Sequence, residues 1–306
     1  DAEEGAIAGS IPVGLEPIAL ALKPDKSELW VSNHVSDSVN VIDLDPSSPT
    51  FHQVVGLIDA SSYQEADRYF DEPAGIAFAS NAKAYVALSQ ENQIAVIDTA
   101  RLEITKTIAV PAQDPRAIAV FEDKLFVLPF ESNNQTQLSG CLPSKIDGER
   151  CTFDAIEHVF TNNNVLSLNY VADIIKNPEL PDRDLLVYDT SSEQLIDTVE
   201  GLGTLLYGLT VTDIGQVVIA QTDARNDANG LAGSAGHGLA ELENRPFLNQ
   251  LSVVLCGTND PCDTQASRIR LESPPPDQLG DGSALATPYS VVAIPDTSWI
   301  AGTAAG

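Results

Sequence analysis

Three carboxylates stand directly before a proline at matching points of the sequence, and these are the first candidates for chemistry. The three dipeptides are Glu16-Pro17, Glu72-Pro73 and Asp114-Pro115. Carboxylate oxygens suit a hard cation such as Ca²⁺, so the three residues form a candidate metal site. The alternative is structural, because a polar residue before a proline often only caps a turn.

The position two residues after each carboxylate could also reach a ligand. Across five matching stretches it holds Ile18, Ala74, Arg116, Tyr207 and Tyr289. Arg116 would stand among the carboxylates, and the two tyrosines could contact a bound molecule. We therefore predict ligand binding by Arg116, Tyr207 and Tyr289.

Two further polar residues are candidates for the same site. Glu131 lies in the stretch PFESNNQT, where a carboxylate beside three amides could form the wall of a polar pocket. His34 lies in a polar turn of the best-matched stretch. Both have an architectural alternative, since hairpin turns favour Asn and Asp and a single His in a turn is often a bystander.

Known catalytic motifs are absent from the sequence. There is no GxSxG, HExxH, Walker or GxGxxG motif and no calcium loop of the DxDxDGxxxxxE form. The four His residues are scattered without the spacing of metal ligands. No motif therefore assigns a reaction to this chain.

A repeat carries all these candidates. Residues 12–43 and 73–98 both run from a proline through an apolar alternation, a polar turn and an aromatic-led strand to a strand that ends in Ile-Asp. Partial copies begin at residues 115, 206 and 288. Short alternating strands in units of about 40 residues indicate the four-stranded antiparallel blades of an all-β protein, a β-propeller. We count about four and a half blades, in one propeller domain over residues 1–306.

Blade geometry gives the candidates a common location. The loop before the first strand and the loop between the second and third strands should lie on one face, around the central channel. Glu16, Glu72, Asp114, Glu131 and His34 would then surround the channel mouth.

Copies one and two also carry a family resemblance. The stretches IPVGLEP, LWVSN, AYVAL and the closing VNVID and IAVID resemble the YVTN family of β-propellers. The resemblance implies a secreted propeller that belongs to a larger protein, in some relatives fused to c-type cytochrome domains. Similar propellers include lactonases and quinoprotein-like oxidoreductases with a metal or cofactor at the channel mouth. The chain has no CxxCH motif, so haem would require sequence beyond Gly306.

Two insertions and the chain end complicate ring closure. Loop insertions are predicted at about residues 131–183 and 224–249, with a short helix over 164–177. Residues 6–14 are expected to supply the outer strand of the last blade. The sequence stops in mid-blade, so we expect an incomplete ring that another polypeptide, or the missing remainder of the same protein, completes.

The net charge and the cysteines indicate which partners and which cellular compartment suit this protein. A formal charge of -28 disfavours nucleic acid as a partner, and no apolar run approaches the roughly 20 residues of a membrane span. Cysteine pairs Cys141–Cys151 and Cys256–Cys262 are predicted to be disulfides, which indicate a secreted or periplasmic protein. The sequence thus favours a secreted binding or scaffold propeller without bound cofactor, Ca²⁺ excepted. The alternative is the propeller of an oxidoreductase or a lactonase-like metal enzyme.

Overall fold

The fold is described from a computed structural model. The description covers residues 5–7, 9–64, 68–132, 138–140, 172–174, 182–224, 247–257, 261–263, 265–271, 286–294 and 300–305. The chain forms two compact units. Unit 1 comprises Asp1–Leu125 with Thr190–Glu193, and unit 2 comprises Phe126–Asp189 with Gln194–Gly306.

Unit 1 contains two antiparallel four-stranded sheets in which each strand pairs with the next along the chain. The first sheet consists of β1 (Pro17–Leu22), β2 (Glu28–Asn33), β3 (Ser38–Asp43) and β4 (Val54–Ile58). The second consists of β5 (Pro73–Ser80), β6 (Lys83–Leu88), β7 (Gln93–Asp98) and β8 (Glu103–Ala109). A 3-10 turn at Ala60–Ser62, capped by Asp59, lies between the sheets in sequence, and β9 (Gln113–Phe121) follows them.

The two sheets share one core. Trp30 of β2 is fully buried and meets Phe78 of β5 edge to face, with ring centroids 5.0 Å apart. The buried members of this core are Trp30, Val39, Val41, Ile58, Phe70, Ile76, Ala84, Val86, Leu88, Ala95, Ile97 and Ile104. Alternate residues of each strand therefore pack on the neighbouring sheet, as in successive propeller blades.

The first strands of successive blades approach closely. A Cβ atom on Gly75 of β5 would lie 2.6 Å from the carbonyl oxygen of Arg116 and 2.9 Å from the backbone nitrogen of Ile118 in β9. Only glycine permits this approach of two backbones.

Unit 2 contains most of β10 (Lys124–Glu131) and the remaining strands. In chain order these are β11 (Leu138–Gly140), β12 (Ala172–Ile174), β13 (Leu185–Asp189), β14 (Leu195–Val199), β15 (Leu205–Val211), β16 (Gln216–Ala224), β17 (Phe247–Leu255), β18 (Ser267–Arg270), β19 (Ala286–Ala293) and β20 (Ile300–Ala305). The main sheet has the order β14-β13-β10-β15-β16-β17-β18, and β11-β12 and β19-β20 form two pairs. Val291 of β19 packs against Val218 and Ala220 of β16.

The predicted fold class is confirmed. Four copies of the repeat supply four strands each, and the fifth supplies β19 and β20. All the sheets pair antiparallel, and the described residues contain no α-helix. Nor does the described part hold any helix long and apolar enough to cross a membrane. The chain is thus an all-β protein of propeller blades.

Two local predictions were wrong. Residues 9–14 form no strand. At the end of this stretch the N–H groups of Gly14 and Leu15 donate to the side chains of Asn40 and Ser36 at 3.0 and 2.9 Å, and not to a strand partner. Residues 172–174 are strand β12, paired with β11, and not part of a helix. The rest of the predicted helix over 164–177 lies outside the described residues.

One predicted disulfide is present. Cys256 and Cys262 are bonded, with Cα atoms 4.1 Å apart. Cys141 and Cys151 lie outside the described residues, as does most of both predicted insertions, so that pairing and the insertion bounds remain predictions.

Candidate functional site

The predicted carboxylates of unit 1 lie at one edge of their sheets. The backbone N–H of His34, just after β2, donates to the carbonyl oxygen of Glu16 at 2.9 Å. In the second sheet the N–H of Ser89 donates to the carbonyl of Glu72 at 3.2 Å. In both sheets the start of the first strand thus adjoins the end of the second, and a common position of these residues around a channel mouth stays a prediction.

The same backbone conformation recurs at each of these positions. Glu16, Glu72 and Asp114 have φ of 55°, 49° and 57°, and Thr287, which precedes Pro288 in unit 2, has 48°. Pairing shifts register just after Glu16 and Glu72 and around Thr287. A left-handed residue at such a shift is a β-bulge, and a bulge at the start of an inner strand re-aims its side chain.

A side chain from the preceding blade holds three of these left-handed residues, namely Glu72, Asp114 and Thr287. Asp37 Oδ1 accepts from the N–H of Glu72 at 3.0 Å, and Asn92 Oδ1 accepts from the N–H of Asp114 at 2.7 Å. In unit 2, Asn249 Oδ1 accepts from the N–H of Thr287 at 3.0 Å. We call these three contacts the blade clamps. Sequence reasoning missed them, because Asp and Asn are also the residues that hairpin turns favour.

The side chains of the carboxylates differ in their partners. Glu72 Oε2 accepts from Ser89 Oγ at 3.2 Å and lies 3.8 Å from His34 Nε2. Asp114 forms a two-point ion pair with Arg116, at 2.9 Å from Nε and 2.7 Å from Nη2. Glu16 is exposed. Within the described ranges no group of three or more His, Cys, Asp or Glu side chains could hold a metal ion.

Unit 2 brings the predicted tyrosines together in a row of aromatic rings. Tyr207 of β15 meets Tyr289 of β19 with centroids 5.7 Å apart, and meets Phe130 of β10 at 5.5 Å. Both contacts are edge to face, the favourable geometry for aromatic pairs. Tyr289 is 59% exposed, and Glu131 is exposed at the end of β10 beside the row. We call Phe130, Tyr207 and Tyr289 the aromatic row; its Phe130 was not predicted.

A buried carboxylate in unit 2 also escaped the sequence analysis. Asp184 is fully buried, and its Oδ2 accepts from the N–H of Leu202 at 2.5 Å. Burial raises the pKa of Asp184 to about 7, against the opposing effect of the nearby Ser132 hydroxyl. Asp184 Oδ1, Ser132 Oγ and Gln221 Oε1 are all buried without a hydrogen-bond partner among the described residues. Burial therefore favours the neutral form of this carboxyl.

Comparison with known proteins supports no family assignment. No protein-family model and no curated protein matches the chain. Among solved structures, Kuenenia stuttgartiensis hydrazine synthase is similar over 97% of this chain and 76% of its own, at 14% identity and a TM-score of 0.48. The WD40 repeats of RRP9 are similar over 96% and 74%, at 10% identity and 0.49. A nidogen–laminin complex is similar over 94% and 72%, at 13% and 0.46. At these identities and TM-scores the likenesses say nothing about ligand or activity.

Proposed function

We propose that this protein is a secreted or periplasmic β-propeller that binds a polypeptide partner as a scaffold. The aromatic row, whose Tyr289 is exposed and whose Phe130 and Tyr207 are partly buried, carries the proposal. In the other copies of the repeat, the position of Tyr207 and Tyr289 holds Ile18, Ala74 or Arg116. Packing of an inner strand therefore does not require an aromatic residue there.

The composition of the row fits a protein interface. Aromatic residues are enriched at the buried centres of interfaces, where they combine a large apolar area with a polar tip. Exposed Tyr289 would lose its contact with water on binding, and Glu131 could form part of a polar rim. The disulfide Cys256–Cys262 supports an oxidising compartment.

The proposal includes membership of a larger protein, as the YVTN resemblance implies. It does not include the alternatives of an oxidoreductase propeller or a lactonase-like metal enzyme. Calcium binding by Glu16, Glu72 and Asp114 is not part of it, because Asp114 already pairs with Arg116. A thermal shift on adding CaCl₂ that a Glu72→Gln variant abolishes would restore the metal site.

Affinity capture with tagged protein tests the proposal. We expect the wild type to retain a defined polypeptide from the extracellular or periplasmic fraction of its source, and Tyr289→Ala to lose it. Phe51→Ala is the matched control, because Phe51 is a partly exposed aromatic of unit 1 outside the row. Equal capture by the Tyr289 variant, or no capture by the wild type, would contradict the proposal.

A further inference from the structure

A cavity lies in unit 1, beside the connection from β4 to β5. It has a volume of about 480 Å³ and is lined by Tyr63, Arg68, Tyr69, Asp71, Glu91 and Gln93. A smaller cavity of about 220 Å³ shares Tyr63 and Arg68 and extends along residues 104–107 of β8. The backbone of Tyr63 is fixed there by a parallel bridge to Ile104. None of these residues belongs to the aromatic row.

The two carboxylates of this cavity outnumber the single cation, Arg68, among its described lining residues. Burial, and then the charge of Asp71, raises the pKa of Glu91. Burial, followed by the charges of Asp37 and Glu72, raises the pKa of Asp71. The charge of Arg68 lowers the pKa of Glu91, but its effect is smaller than the increase that burial and Asp71 cause. Ionised carboxylates in this position would therefore favour a positively charged ligand.

One carboxylate oxygen lacks a hydrogen-bond donor. The Glu91 carboxylate accepts from the backbone N–H of Asp71. Its Oε1 atom is buried without a partner among the described residues. A buried acceptor left unpaired costs about 1–3 kcal/mol, more when it is charged. A ligand that brings an N–H donor would remove that cost.

Two tyrosines give the cavity aromatic walls. Tyr69 is exposed at its opening. Burial, and then the charge of Glu91, raises the pKa of Tyr63 to about 12, so its phenol stays protonated. Aromatic faces attract organic cations, whereas a bare metal ion would need more oxygen ligands than two carboxylates supply.

We propose that this cavity binds an alkylammonium group, with the ammonium at Glu91 and Asp71 and the alkyl chain against Tyr63 and Tyr69. A primary amine supplies a second positive charge and an N–H donor for Glu91 Oε1, which has no partner among the described residues. The net charge of -28 would raise the local concentration of such cations. Both a lysine side chain and a free polyamine carry this group.

Binding should depend on pH. The titratable groups that line the cavity are Tyr63, Arg68, Tyr69, Asp71 and Glu91, and the charges of Asp37 and Glu72 act on Asp71. An alkylammonium stays charged in acid, whereas the two carboxylates become neutral. Affinity should therefore fall as pH falls through their raised pKa values.

Isothermal titration with three small probes tests the proposal. The probes are spermidine, Nα-acetyl-lysine methylamide and its neutral isostere Nα-acetyl-norleucine methylamide. We expect the two amines to bind and the isostere not to bind, and the tighter amine identifies the source of the group. Binding of neither amine, or equal binding of the isostere, would overturn the proposal.

Variants locate the site. Glu91→Gln keeps an acceptor for the N–H of Asp71 and should weaken amine binding about tenfold. Tyr69→Ala, at an exposed position, should weaken it about threefold. Asp213→Asn in the exposed β15–β16 turn changes the net charge as Glu91→Gln does and should have no effect. Equal affinities of the Glu91 and Asp213 variants for the amine would overturn the site. We expect the Tyr289→Ala variant to retain amine binding, which would show that this site does not depend on the aromatic row.

Discussion

Asp37 Oδ1 accepts a hydrogen bond from the backbone N–H of Glu72 at 3.0 Å, which ties the turn of the first blade to the first strand of the second. Asn92 and Asp114 repeat the contact one blade later. The bonded residues Glu72 and Asp114 both have positive φ. The first and second blades thus each hold the left-handed residue with which the next blade begins.

Asn92→Gly tests the blade clamps. Asn92 has φ of 52°, so glycine removes its side chain without the strain that alanine would add. Loss of the bond to Asp114 should lower the free energy of unfolding by about 1 kcal/mol. Urea denaturation measures the change, with Gln90→Ala in the same turn as the control. Equal stability of the two variants would show that the clamp contributes nothing.

Asp184→Asn tests the buried carboxyl. The unfolded pKa is near 3.8 and the folded pKa about 7, so the folded state binds the proton more tightly. Stability from this group is therefore complete at low pH and is lost as pH rises from 3.8 to about 7. Between about pH 5 and pH 8 the wild type should lose up to about 3 kcal/mol that Asp184→Asn retains.

Asparagine also brings a donor, because its Nδ2 can donate to Ser132 Oγ, which has no partner among the described residues. Urea unfolding at both pH values gives the difference between wild type and variant, and Asp213→Asn controls for the lost charge. A wild-type minus variant difference that does not change with pH would contradict the raised pKa.

Glu193→Gln tests an ion cluster that fixes residues 190–193 within unit 1. The Glu193 carboxylate contacts the ammonium groups of Lys83 and Lys106, and its side chain is only 7% exposed. Lys83 also donates to the carbonyl of Thr190 at 2.7 Å. The variant should lose about 2 kcal/mol, less than the 3–5 of a fully buried pair because Lys106 is half exposed. Exposed Glu122→Gln is the control, and a smaller effect of Glu193→Gln than of Glu122→Gln would contradict the cluster's role.

Reduction of the Cys256–Cys262 disulfide should have a modest effect. The bridge spans a sequence separation of 6, so it restricts the unfolded chain little, and its loss should cost no more than about 2 kcal/mol. Thermal unfolding of a Cys256→Ser/Cys262→Ser variant measures this. Peptide mapping of the unreduced wild type checks the Cys141–Cys151 pairing as well, and free thiols at either pair would contradict the proposed compartment.

The blades could be predicted from sequence because their signal is local. Alternation around Trp30, Val39 and Val41 marks the strands, and its repetition gives the strand count. The two tyrosines could be predicted to lie near each other because alignment of the copies places both at the start of the first strand of a blade. Phe130 completes the row from the end of a different strand, where the alignment gives no equivalent.

Other features depended on contacts that a pattern does not record. Whether Asp37 and Asn92 serve their own turn or the next blade is decided only by where that blade lies. Burial of Asp184 likewise depends on Ser132 and Leu202, which are distant in sequence. Residues 9–14 form no strand, and the N–H groups of Gly14 and Leu15 donate to the side chains of Asn40 and Ser36, contacts that no sequence pattern records.

The recurrent bulge makes the start of each inner strand an exchangeable position. Glu16, Glu72, Asp114 and Thr287 share one backbone conformation although their side chains differ in charge and length. At the left-handed residues Glu72, Asp114 and Thr287, the preceding blade supplies the bond to the N–H. The side chain is thus left out of the contact that maintains the bulge. Chemistry at this edge can consequently change by single substitutions while the backbone is conserved, which makes these positions suitable for grafting new ligand contacts onto the scaffold.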